Sequence, residues 1–113
     1  MKDNLRHRMG EAHERHLADA LKGRKTRGSG NQFANPCDGR QNRYESGIAF
    51  AWDGKSTLGA SIGVSRAMWA KLEEQAHGER PLLPLRFYDT ERLAVGLDLA
   101  VLKLDDLVEL LEH

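Results

Sequence analysis

The sequence predicts an α/β domain in which a mixed β-sheet is flanked by helices, with the element order α-β-β-β-α-β-β-α. Three observations carry that expectation: a helix-period apolar pattern near the N-terminus, short apolar runs bounded by turn residues further on, and a second helical segment between those runs. Met9, Ala12, Leu17, Ala18, Ala20 and Leu21 recur at three- and four-residue spacing, which predicts a helix over residues 8–21 with Gly23 as its stop. Residues 22–47 mix Gly23, Gly28, Gly30, Pro36, Gly39 and Gly47 with polar side chains and show no period, so a loop with at most a short strand is expected. Ile48-Ala49-Phe50-Ala51-Trp52 suits a buried strand that runs straight into Asp53-Gly54-Lys55. Residues 60–64 suit another short strand. Ser65 has the chemistry of an N-cap for a helix to Ala76, with Met68, Trp69, Leu72 and Ala76 on one face and His77-Gly78 as the stop. Strands follow over residues 81–88 and 93–102, and Asp105 is placed to cap a last helix carrying Leu107, Val108 and Leu110. Trp52 and Trp69 fall on apolar faces and are expected in the core.

With 113 residues the chain is sized for one hydrophobic core, so a single domain is expected over residues 1–110. The terminal Leu111-Glu112-His113 reads as an expression-tag remnant. An apolar share of 40% with 30% charged residues excludes a disordered or fibrous chain. The longest apolar stretches, residues 81–85 and 93–101, fall well short of the roughly 20 residues of a membrane-spanning helix. The charged N-terminus has no apolar segment after it, so no secretory signal is read and a cytoplasmic location is expected. The single cysteine, Cys37, excludes an internal disulfide and a multi-cysteine zinc site, and no partner base is specified for it as a nucleophile.

Net charge is zero, but it is unevenly distributed. Residues 1–45 hold ten basic and six acidic side chains, residues 46–113 seven and eleven, so the two parts stand at +4 and −4. Lys22, Arg24, Lys25 and Arg27 form a dense cationic run able to neutralise several phosphates. A solvated basic loop is the simpler reading of that run taken alone.

Asp38 together with Asp53-Gly54-Lys55 is the constellation with chemistry in it. On a strand, residues i and i+2 point to the same face, so Asp53 and Lys55 are expected to project together, with Asp38 reaching them from the preceding loop or strand. Carboxylates of this kind bind Mg²⁺, which keeps several waters and accepts phosphate oxygens. A bound water of lowered pKa is a nucleophile for phosphodiester hydrolysis, and a neighbouring lysine positions it or stabilises developing charge. The Asp-x-Lys pattern by itself is common in solvated turns. Gly54 also raises the question of a bulge, which would move Asp53 and Lys55 off a common face.

Taken together, Gly28-Ser29-Gly30-Asn31-Gln32, Pro36-Cys37-Asp38-Gly39 and Ile48 through Thr57 resemble the PD-(D/E)xK nuclease superfamily, most closely its small phage and archaeal Holliday junction resolvase-like members. The resemblance spans roughly residues 8–77. It implies a restriction-endonuclease-like sandwich and a Mg²⁺-dependent DNA endonuclease, with Mn²⁺ able to substitute. Asp38 and Asp53 correspond to metal ligands and Lys55 to the catalytic lysine. Glu14 matches the helical glutamate of the family as a further catalytic and metal-binding residue, with Glu11 as the competitor. Lys22, Arg24, Lys25, Arg27, Ser29, Gln32, Arg40 and Arg43 are the implied DNA contacts. Branched DNA as substrate and a homodimer with two active sites follow from the same resemblance; a nicking, repair or restriction-type nuclease of this fold, or a DNA-binding relative without full catalysis, stays open. His13 and His16, three apart on a helix, suggest surface exposure or backbone contacts to nucleic acid ahead of a metal site, because they lack the H-E-x-x-H pattern.

Overall fold

Arg80-Pro-Leu-Leu-Pro-Leu-Arg-Phe-Tyr88 is the axis of the sheet: every residue from Pro81 to Arg86 is buried, which requires cover on both faces. The computed structural model describes residues 2–21, 23–25, 39–41 and 49–112. Its elements are α1 (Lys2–Ala20), β1 (Gly23–Lys25), β2 (Gly39–Gln41), β3 (Phe50–Trp52), β4 (Lys55–Thr57), α2 (Arg66–Ala76), β5 (Arg80–Tyr88), β6 (Val95–Leu102) and α3 (Leu104–Leu111).

β6 pairs antiparallel along β5 from Leu82 to Tyr88, so β3 and β4 share the other edge of β5. Phe50 stands opposite Arg80 and Lys55 opposite Leu85, the same register on both sides of the gap. β3 and β4 are therefore one strand interrupted at Asp53-Gly54. β2 pairs antiparallel with β3, and β1 antiparallel with β2. A single row crosses the sheet through Lys25, Gly39, Trp52, Leu82 and Leu102. Counting β3 and β4 together, three strands precede α2, but they are residues 23–25, 39–41 and 50–57 and do not include the expected strand at 60–64.

Alternation along the strands builds two cores. Ala51, Leu83 and Leu85 pack under Leu72 and Ala76 of α2, while Phe50, Trp52 and Leu82 pack against Leu17 of α1. Burying a leucine such as Leu83 stabilises by about 2 kcal/mol. The parallel crossover from β4 to β5 runs through α2, whose first turn is capped as expected: the Ser65 hydroxyl accepts from the Met68 N–H at 3.0 Å. The helix stops at His77, which takes the left-handed conformation with φ of 51°. A register shift between Phe87 and Tyr88 leaves Gly96 as the extra residue of β6, and any side chain there would run into the Asp89 carboxylate.

Several expectations are corrected. α1 begins at Lys2 rather than residue 8. Residues 60–64 form no strand, because the edge of β5 is already taken by Lys55 to Thr57. The N-cap of α3 is Lys103, whose side chain makes no capping bond. Asp105 and Asp106 sit instead in the first turn of that helix, where their charge suits its dipole. Trp52 is buried, but Trp69 is only half-buried and borders a cleft.

Candidate active site

The interruption between β3 and β4 has a chemical cause. In the parallel ladder the Arg80 N–H reaches the Ala49 carbonyl at 3.0 Å, and the Asp53 N–H reaches the Leu82 carbonyl at 3.3 Å. Carrying that pattern forward requires an N–H from residue 84 for the Asp53 carbonyl. Residue 84 is proline and has none. The ladder opens at Asp53-Gly54 and closes again at Lys55 without an inserted residue.

Because the register is unchanged, Asp53 and Lys55 keep the parity of Ala51 and lie on the α2 face of the sheet. Their side chains form an ion pair, Lys55 Nζ to Asp53 Oδ2 at 3.7 Å, and both are partly open to solvent. The bulge that Gly54 suggested is absent from this stretch.

Gly54 points the other way, toward α1. A Cβ there would lie 2.8 Å from His13 Cδ2, 3.0 Å from His13 Nε2 and 3.1 Å from Leu17 Cδ1. The imidazole thus occupies the space a side chain at 54 would need. His13 is 2% exposed, and its Nε2 lies 3.4 Å from the Pro84 carbonyl. A carbonyl only accepts, so Nε2 carries the proton and the buried Nδ1 is left without a hydrogen-bond partner. The expected surface position for His13 is overturned. The buried stripe of α1 is Met9, His13 and Leu17 at four-residue spacing, a signal present in the sequence but masked by reading histidine as polar.

Burial lowers the pKa of His13 from 6.5 to about 4, with the nearby Arg86 charge acting in the same direction. Between those values the unfolded chain binds a proton that the folded chain does not. Stability is therefore full above pH 6.5 and falls as pH drops toward 4, by about 3 kcal/mol. Urea unfolding of the wild type and of His13→Leu across this range should show the loss only in the wild type.

A second polar group joins α1 to the β6 edge of the sheet. Arg86, 5% exposed, donates from Nε and Nη2 to Asp98 at 2.7 and 2.9 Å, and its guanidinium lies 5.6 Å from the Tyr88 ring centre. The hydrogen bonds from Arg86 hold the Asp98 carboxyl below its ordinary pKa. His16 approaches Asp98 at 3.7 Å, and the Tyr88 hydroxyl donates to the Met9 carbonyl at 3.0 Å. Asp98→Ala would leave Arg86 buried without its counter-charge. A loss of about 2 kcal/mol is expected in thermal or urea unfolding, against little change for Glu91→Ala on the surface.

The other sequence-derived candidates fall in different places. Asp38 lies outside the described residues, as do Lys22, Arg27, Ser29, Gln32, Cys37 and Arg43. Gly39 pairs with Trp52, the residue before Asp53. Arg24 and Lys25 are on β1 and Arg40 on β2, with Arg24 and Arg40 opposite each other in register. Glu14 is half-buried on α1, the helix that covers the face opposite Asp53 and Lys55; Glu11 pairs with His7 at 3.6 Å. Among the described residues, no three His, Cys, Asp or Glu side chains converge as a metal site. None of the described helices is long and apolar enough to cross a membrane. Comparison with protein-family models, with curated proteins and with solved structures finds no match.

Proposed function

We propose that this chain is a metal-dependent DNA endonuclease of the PD-(D/E)xK type, acting on branched DNA such as a Holliday junction. The observation that carries the reading is the Asp53 and Lys55 pair, side by side on one face at a strand break, with the residue next to Asp38 paired to the residue next to Asp53. The helix, three-strand, crossover helix, parallel-strand order of the described elements supports a restriction-endonuclease-like core.

Donor chemistry at the break suits Mg²⁺, which takes one or two carboxylates and keeps its waters; a solvent-open Asp53 meets that need with Asp38 as the second carboxylate. Held there, Mg²⁺ would supply a water of lowered pKa and charge stabilisation at the scissile phosphate. Lys55 offsets the Asp53 charge at rest and offers its ammonium to a phosphate oxygen or an attacking water. Arg40 on β2, the strand beside β3, and Lys25 on β1 next to it, together with Lys22, Arg24, Arg27 and Arg43, supply cations for the DNA backbone. Ser29 and Gln32 are assigned to phosphate contacts near the site; Glu14, on the helix that covers the opposite face of the sheet, is left out of the carboxylate set.

A second reading, a DNA-binding relative with weakened catalysis, draws on the placement of α1 and Glu14 across the sheet from Asp53 and Lys55. One comparison separates the readings. The resolvase reading expects Mg²⁺-dependent paired cuts in a four-way junction and little cleavage of linear duplex of the same sequence. Equal cleavage of both substrates points to a general nuclease, and salt-sensitive binding without cleavage to the non-catalytic relative.

A further inference from the structure

The last helix is mounted with its polar side inward. α3 buries Asp106 and no apolar side chain, because Asp106 and Glu109 turn in to the Arg80 guanidinium, the first at 2.7 Å. Leu104, Leu107 and Val108 follow the spacing i, i+3, i+4 and stand 39–73% exposed along the outer side. An isolated domain gains nothing from leucines arranged this way in water.

A complementary surface lies on the α2 face. α2 covers β3 and β5, leaving Leu97 and Leu99 of β6 50% and 47% exposed. This strip runs into a cleft of about 460 Å³ between α2 and the end of β6, floored by Trp69 and Val101 and edged by Val64, Arg66 and Lys103. From Leu97 to Leu102 the trough is roughly 17 Å long, enough for an eight-residue helix of roughly 12 Å.

We infer that α3 of one copy of this chain packs in the α2–β6 trough of a second copy, and the reverse, forming a twofold dimer. Each chain carries one outward helix and one trough, so a twofold arrangement covers both at once. α3 departs from the end of the trough, at Leu102 and Lys103, which lets a twofold axis near that point exchange the helices. Leu104, Leu107, Val108, Leu97 and Leu99 offer roughly 450 Å² of apolar surface, close to the apolar share of the ~800 Å² per partner of a stable interface. Charge agrees. Asp105 of α3 has no ionic partner among the described residues, and neither does Arg66 at the trough. The acidic α3, with no basic residue in its last turn, is poorly suited to an anionic lipid surface. The net charge of zero sets up no overall repulsion between copies.

The surface provides the dimer that paired strand cleavage needs, yet it stands on the apolar faces alone: mass reads the dimer and DNA cleavage reads the nuclease. Light scattering behind size-exclusion chromatography should give twice the chain mass for the wild type and for the control Leu58→Asp. It should give a single chain mass for Leu107→Asp on α3 and for Leu97→Asp on β6, each with an unchanged circular dichroism spectrum. In a Cys37→Ser background, Val108→Cys mixed with Leu97→Cys should cross-link under oxidation, while each alone stays uncross-linked. A monomeric wild type, dimers that survive both aspartates, or self-cross-linking of Val108→Cys would overturn the arrangement.

Discussion

Asp53→Ala is expected to lower Mg²⁺-dependent cleavage of a four-way junction by about a thousandfold or more while leaving the fold intact. Its carboxylate is partly solvent-open and pairs only with Lys55 among the contacts that fix its position, so truncation removes no core packing. Lys55→Ala is expected to act on turnover by about a hundredfold or more, because the ammonium contributes where charge develops. The two variants should differ in binding. Removing Asp53 takes away a negative charge beside the DNA, so junction affinity in EDTA should hold or rise; removing Lys55 should weaken it modestly. Gel-shift titrations next to single-turnover cleavage separate these effects. Junction cleavage by Asp53→Ala at the wild-type rate would remove the pair from the active site.

Gly54→Val is expected to cost about 3 kcal/mol of stability and to impair cleavage as well. Any Cβ at 54 meets the His13 ring at 2.8 Å, and neither group has space to retreat: His13 is 2% exposed and Leu17 closes the other side. Relief must come from the strand, which displaces Asp53 and Lys55 on its opposite face. His13→Ala opens the needed volume, so the double variant should be markedly more stable than the sum of the single losses indicates. A double-mutant cycle in urea unfolding measures this coupling. Additive losses would mean that the ring does not hold the strand in place.

Residue types at regular spacing were the legible part of this chain. Ser65, Leu72, Ala76 and His77 announce α2 and both of its ends, and the apolar run to Trp52 announces β3, because caps and burial act locally. Asp53 and Lys55 were legible as a pair for the same reason: side-chain alternation needs only the strand. What sequence reading missed depends on contacts distant in the chain. Pro84, thirty-one positions after Asp53, opens the ladder, and nothing near Asp53 signals it. The burial of His13 depends on Gly54 leaving room and on the Pro84 carbonyl accepting its proton. α3 misleads in the opposite sense, since its leucine period promises a core and the two carboxylates bound to Arg80 turn that face outward. Asp38 and the glycine-rich segment before it lie outside the described residues, so their part of the candidate site stands on motif and chain connectivity.

A crystal of the protein soaked in Mn²⁺ and read by anomalous scattering locates the metal that Asp53 and Lys55 are proposed to serve. One or two ions are expected at the β3–β4 break, held by the Asp53 and Asp38 carboxylates with the Lys55 ammonium alongside. Mn²⁺ bound elsewhere with this break empty, or no ion at saturating Mn²⁺, would contradict that assignment.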